Sequence, residues 1–374
     1  MQSSVGPINA PKAGLLARVK TACLQLAQSY DQSAGVGTDD YWTPPMAHAM
    51  ADGKYLHALV SLRQADIISA AYFQRAASAA IERLSQSAVP GYGGGIAWGL
   101  NFSRNNIPAD EAYLITTSLV LRGVHDLQKN ADFDVGQDRL IVDGSRSMVT
   151  WPRISHEGLP FPIYSANIRR PIYNAAVQWL ALLAEAGQEE AAGINREPYL
   201  NFFLNLLVPC NGWTYEPGNP RVDLLHCCYI LNALTSLTSV REWEAPLLQI
   251  ATNFRQDGAF VDAFDRLNWN AALTRTSARN VRFYTGFAML QLPKAARAWS
   301  MGELLLCLVV AMRPDTAVIR VLAREIAEHI VDRFLPSDPS GPLHKEGNLL
   351  VRHAMHILHG LSEFLRAERS VSAE

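Results

Sequence analysis

Six stretches of the chain are apolar at nearly every position, and each opens on an aromatic, His or Glu residue. They start near Tyr113 (YLITTSLVLRGV), Tyr173 (YNAAVQWLALLA), His226 (HCCYILNALTSL), Tyr284 (YTGFAMLQL), Glu303 (ELLLCLVVAM) and His353 (HAMHILHGLSEFL). A helix that is greasy on all sides must be covered on all sides. More amphipathic helical stretches lie between them, at about 13–29, 45–61, 66–86, 135–149, 195–207, 241–255 and 315–334. An inner ring of apolar helices inside an outer ring of amphipathic ones meets the burial requirement. The polar or aromatic residue at each start then faces one mouth of the ring.

The connecting segments read as turns. VPGYGGGIAWGLNFSRNNIPAD, PCNGWTYEPGNP, RQDGAFVD and LPSDPSGP are rich in Gly, Pro and Asn. TWPRISHEGLPFPIYS is too rich in Pro for helix and reads as a short hairpin or extended rim. No parallel-strand pattern is present. The apolar starts recur mostly every 50–70 residues, with one shorter step before Glu303. That period exceeds common solenoid repeats and suits hairpins of one outer and one inner helix. The predicted fold class is all-α, an (α/α)6 toroid of helical hairpins, with residues 1–11 a flexible lead-in and 12–374 a single domain. A plain multi-helix bundle is the alternative.

Composition narrows the function classes. Hydrophobic residues make up 49% of the 374 and charged residues 18%, enough for a large core. The net charge of −2 gives no electrostatic reason to expect nucleic acid or an anionic membrane. No apolar run reaches membrane-spanning length, Leu304 to Met312 being the longest candidate. The five cysteines, Cys23, Cys210, Cys227, Cys228 and Cys307, do not form a disulfide framework, and the N-terminus lacks a signal-peptide pattern. A cytoplasmic location is expected.

The pattern resembles the six-hairpin superfamily, which includes glycosidases, polysaccharide lyases, sugar epimerases and terpene cyclases. GIAWGLNF, GWTYEPGNPRVDLLHCCYILNAL, and DGAF followed by RFYTGFAML are similar to segments of bacterial proteins from surface-polysaccharide gene clusters. The resemblance implies an oligo- or polysaccharide partner and a carbohydrate-active protein: a lyase, an epimerase or a hydrolase of an acidic sugar. A non-catalytic glycan-binding or assembly protein is the alternative. An isoprenoid cyclase is disfavoured because the D-x-D-D motif is missing, Asp39-Asp40 being only a pair in a loop. The zinc cysteines of lanthionine cyclases are missing too.

Candidate chemistry follows from residue type and place. His226 sits three residues after Asp223 at a helix start, a spacing that shares a face, and can act as acid or base near neutral pH. Tyr284 is a second acid/base candidate, with Tyr173 beside it as an alternative. Arg282, Arg279, Arg170 and Asn174 could neutralise a sugar carboxylate. For glycoside hydrolysis two carboxylates are needed, from among Asp110, Glu111, Glu216, Asp223, Asp262, Asp265 and Glu303. The catalytic set is read as His226, Tyr284, Asp223 and Glu216. The substrate-binding set is Trp98, Asn101, Tyr113, Arg170, Asn174, Trp213, Tyr215 and Arg282. Tyr92, Phe102 and Trp269 complete the aromatic group. No cofactor is expected. No metal site is expected either, because His353, His356 and His359 are rotated apart on a helix and Cys227-Cys228 lacks tetrahedral spacing. GYGGGIAWG lacks the Lys and Ser/Thr of a phosphate loop.

Overall fold

A computed structural model of the chain describes residues 14–40, 42–103, 107–129, 138–207, 212–219, 221–256, 259–260, 263–265, 296–335 and 341–373. Twelve α-helices lie among them: α1 (Leu15–Gln32), α2 (Ala49–Gln64), α3 (Ala70–Gln86), α4 (Leu114–Gln128), α5 (Asp138–Val149), α6 (Tyr173–Glu185), α7 (Glu197–Leu207), α8 (Leu224–Leu237), α9 (Glu244–Asn253), α10 (Ala298–Val310), α11 (Ala317–Phe334) and α12 (Val351–Ala373).

The even-numbered helices form the inner ring. Each packs on the next, α2 on α4, α4 on α6, α6 on α8, α8 on α10 and α10 on α12, and α12 packs back on α2. The odd-numbered helices lie outside and bury one stripe. On α3 the buried residues are Phe73, Ala76, Ala77, Ala80, Ile81 and Leu84, a helical period of three and four. On α8 and α10 almost every residue is buried. One hydrophobic cluster runs through both layers.

The ring differs from expectation in one member. The helix at 45–61 was read as amphipathic, yet α2 is an inner helix, buried at Asp52 and Lys54 as well as at its apolar positions. Its charges hid it. Each has a partner on another helix: Asp52 takes Arg83 and the Tyr30 hydroxyl, Lys54 pairs with Glu303, and His57 Nδ1 lies 2.7 Å from Asp126. A buried charge is tolerable only with such a partner. The stretch at Tyr284 lies outside the described residues.

Two inner contacts are close enough to require glycine. A methyl group on Gly302 of α10 would sit 2.5 Å from the His356 carbonyl oxygen of α12, and one on Gly360 would sit 2.5 Å from the Gly302 carbonyl oxygen. The pair Gly53 and Gly123 does the same for α2 and α4.

Short antiparallel strand pairs decorate the segments that lead from outer to inner helices. They are β1–β2 (Val36–Asp39, Trp42–Ala47), β3–β4 (Val89–Pro90, Ile96–Ala97), β5–β6 (Arg153–His156, Leu159–Pro162), β7 (Arg221–Asp223) with β10 (Ala263–Asp265), β8–β9 (Arg255–Gln256, Ala259–Phe260) and β11–β12 (His344–Lys345, Asn348–Leu349). The Pro-rich 150–165 run is the β5–β6 hairpin, as its composition required. These elaborated turns gather at the N-terminal ends of the inner helices.

Trp98 and Trp213, expected in the sugar-binding set, stand inside the core of the described residues. Both are fully buried, and their indole N–H groups donate to the carbonyls of Leu84 (2.8 Å) and Phe203 (2.9 Å). They fill space between helices instead of offering a ring face to a ligand. Trp151 and Trp179 bond in the same way, to Ile163 and Met148.

Candidate active site

The site begins at Asp223, the last residue of β7 and the N-cap of α8. Its Oδ1 accepts the backbone N–H of His226 at 3.2 Å, which satisfies one of the free donors of the helix start. The same oxygen lies 3.1 Å from His226 Nδ1. Burial alone would raise the pKa of Asp223. The charge and bonding of His226, with the charge of Arg297, outweigh it and hold the carboxyl at about 2. The contact at Nδ1 is at ion-pair distance, and Nε2 is the ring nitrogen that Asp223 does not engage. The Tyr215 ring covers His226, with centroids 4.5 Å apart.

A second histidine is built the same way. His353 lies in the first turn of α12, and its Nε2 is 2.8 Å from Asp40 Oδ2, in the turn between β1 and β2. Burial would raise the Asp40 pKa; the bond to His353 and the charges of His353, Arg297 and Arg352 lower it instead. Here Nδ1 is the ring nitrogen that the carboxylate does not engage.

Arg297, the N-cap of α10, lies between the two pairs. One terminal nitrogen is 3.9 Å from Asp40 Oδ2 and the other 3.9 Å from Asp223 Oδ2. Its guanidinium sits 4.6 Å from the centroid of Trp299, as does that of Arg352. Trp299 in turn stacks on His353. Arg352 forms a two-point ion pair with Asp39, both buried. The β1–β2 turn is thereby locked to the start of α12.

The other expected site residues divide clearly. His226, Asp223 and Tyr215 are brought together. Glu216 and Arg170 pair with each other at 2.6 Å, Arg170 being 62% exposed, so a sugar carboxylate would have to displace Glu216 to use that arginine. Asn174 is buried in the first turn of α6, and its side-chain oxygen has no partner among the described residues. Tyr113 is the buried N-cap of α4, packed edge-on against Tyr164. Asn101 donates to the Ala47 carbonyl. Tyr173 lies 3.1 Å from His156 Nε2, and burial first, then the charge of Glu157, raises its hydroxyl to about 12. Arg282 and Tyr284 lie outside the described residues, as do Asp262, Trp269, Arg279 and Cys210.

Glu303 is placed otherwise than expected. It lies in the second turn of α10, deep on the ring axis, where it meets Lys54, Asn232 Nδ2 (2.8 Å) and, at 3.8 Å, His356. Sequence reading missed Asp40, Arg297 and Trp299, and weighed His353 only as a metal ligand. The three histidines of α12 do diverge: His353 meets Asp40, His356 meets Tyr229 and His359 stacks on His57. Among the described residues no cluster of His, Cys, Asp and Glu could hold a metal ion.

The sequence matches no family model and no curated protein. Solved structures match along the whole chain. Cellobiose 2-epimerase from Spirochaeta thermophila superposes with a TM-score of 0.64 at 11% identity, covering 96% of this chain and 100% of that one. The chain is an (α/α)6 toroid. Two more toroids show how widely this fold is used. A family 76 glycoside hydrolase (mannosidase) from Bacteroides thetaiotaomicron superposes with a TM-score of 0.56 at 11% identity, covering 96% and 100%. A type II terpene cyclase from Scytonema superposes with 0.53 at 10% identity, covering 96% and 100%. The toroid alone therefore fixes no reaction, and function must be argued from the mouth. No described helix is long and apolar enough to cross a membrane.

Proposed function

We propose that the mouth of the toroid exchanges a proton on a carbon next to a sugar carbonyl, with His226 and His353 as the two acid/base groups. The observation that carries this reading is the duplicated His–carboxylate pair, His226–Asp223 and His353–Asp40, with Arg297 between the two carboxylates. In each pair the carboxylate orients the ring, as the Asp of a Ser-His-Asp triad does for its His. One neutral imidazole takes the carbon-bound proton. The electron pair moves into an enediolate, whose oxygen Arg297 can stabilise. The other imidazole, protonated at the start, delivers a proton to the same carbon. If it delivers to the opposite face the sugar is epimerised. Sugar epimerases and a mannosidase among the similar toroids support a sugar as substrate.

Hydrolysis by a carboxylate pair fits less well. It needs one carboxyl that keeps its proton at working pH. Asp223 and Asp40 are both held below the ordinary carboxylate range, and Glu216 is engaged by Arg170.

The test uses the full chain in deuterium oxide with a panel of neutral aldoses, reducing disaccharides and uronic acids. Proton NMR should show loss of one carbon-bound hydrogen and growth of an epimer. His226→Asn and His353→Asn should each lower the rate roughly 100-fold or more. Release of reducing ends from a glycoside with no hydrogen exchange would overturn the reading.

A further inference from the structure

Resting on that two-histidine reading, we propose that Tyr229 and His356 are positioning residues that set the gap between His226 and His353. Tyr229 lies three residues after His226 on α8, and His356 three residues after His353 on α12. Each is thus one turn beneath an acid/base group, on a neighbouring part of the same helix face. The Tyr229 hydroxyl is hydrogen-bonded to His356 Nε2. Its direction is fixed by the other side of the ring. His356 Nδ1 lies 2.6 Å from the carbonyl oxygen of Arg352, which can only accept, so Nδ1 carries the proton. Nε2 therefore presents a lone pair, and the Tyr229 O–H donates to it.

The bond joins two helices that are not neighbours in the ring, since α10 stands between them. It closes over the axial side of α10, where Trp299 meets the His356 ring edge-on, centroids 5.9 Å apart at 76°. Both partners are buried, Tyr229 at 3% and His356 at 0% exposure, so no water competes for the bond. Below them Glu303, Lys54 and Asn232 fill the axis. Neither Tyr229 nor His356 need touch substrate. Their effect is on where the second imidazole stands relative to the first. An error of about 1 Å in such a placement costs up to about 100-fold in rate.

Inversion needs both imidazoles, one on each face of the carbon. Exchange with retention needs only one, which removes the proton, swaps it with solvent and returns deuterium to the same face. The two outcomes therefore separate positioning from general damage. In deuterium oxide, Tyr229→Phe should lower the inversion rate about tenfold or more and change exchange with retention less than about threefold. His356→Gln on its own, which keeps an acceptor for the Tyr229 hydroxyl, should retain most of the inversion. Thermal melts of each variant check the fold. If Tyr229→Phe does not melt cooperatively, His356→Leu breaks the same bond from the other side and is scored by the same ratio. Parallel loss of inversion and retention, or an unchanged ratio, would overturn the positioning role while leaving the two-histidine reading standing. Failure of the wild-type chain to exchange hydrogen on any sugar would overturn both, and is read on the wild type alone.

Discussion

The indole of Trp299 lies flat on the imidazole of His353, with ring centroids 4.9 Å apart and planes 12° from parallel. The two residues come from neighbouring inner helices, so the stack fixes the ring plane of His353 while Asp40 fixes its rotation. Trp299→Leu removes the stack and both cation contacts of the indole, leaving the Asp40 bond in place. Stability should fall by about 3 kcal/mol, measured by urea denaturation. Proton exchange should slow about tenfold or more.

The Lys54–Glu303 pair lies on the toroid axis, with side-chain exposures of 4% and 1%. Burial lowers the pKa of Lys54 and the charge of Glu303 raises it, burial prevailing. Glu303→Leu strands a buried ammonium and should cost about 3–5 kcal/mol. The double variant Lys54→Met with Glu303→Leu should recover much of that loss. A double variant as weak as the single would show that the pair matters through Asn232 and His356 instead. Chemical denaturation of the three variants decides.

Acid should unfold the protein in two stages. His48 is 1% exposed, and burial first, then the charge of Arg352, lowers its pKa from 6.5 to about 3. The unfolded chain therefore binds a proton that the folded chain refuses. Stability from this group is present above pH 6.5 and is lost as pH falls towards 3, at up to about 1.4 kcal/mol per pH unit. Asp223 acts lower: its carboxylate stabilises the fold above about 4, and that contribution is lost as pH falls to about 2. His48→Gln should flatten the upper slope and leave the lower one. Urea denaturation between pH 7 and pH 4 (roughly the window of the upper slope) checks the first claim.

The Gly302–Gly360 contact should not tolerate a methyl group. Gly302→Ala places a carbon 2.5 Å from the His356 carbonyl oxygen, so α10 and α12 must separate. A loss of about 1–3 kcal/mol is expected. Because His353 and His356 ride on α12, exchange activity should fall with it. A thermal melt alongside the exchange assay tests both.

Much of the toroid was legible because burial on all sides leaves a plain mark. The helices starting near Tyr113, Tyr173, His226 and His353 are inner helices, as their unbroken apolar runs required. The sixth inner helix was not legible. Asp52, Lys54 and His57 make α2 look solvated, and only the partners Arg83, Glu303 and Asp126, on other helices, remove that impression. Half of the site was legible for a similar reason. Asp223 and His226 are three residues apart, so a cap and a face could be read locally. Asp40 and His353 are 313 residues apart, and no local rule joins them. Trp299 and Arg297 precede the Glu303 taken as the helix start, so the mouth lay one turn earlier than the polar residue implied.

The lock between the β1–β2 turn and the start of α12 has a consequence for how the molecule comes into being. Asp39 meets Arg352 and Asp40 meets His353 across almost the full length of the chain. During synthesis the first five staves of the barrel leave the ribosome with a gap where the last belongs. The second histidine arrives with the final wall and meets a carboxylate made near the start of the chain. A nascent chain stopped short of α12 would hold one of the two His–carboxylate pairs and an open seam, so completion of the proposed site and of the barrel are one event.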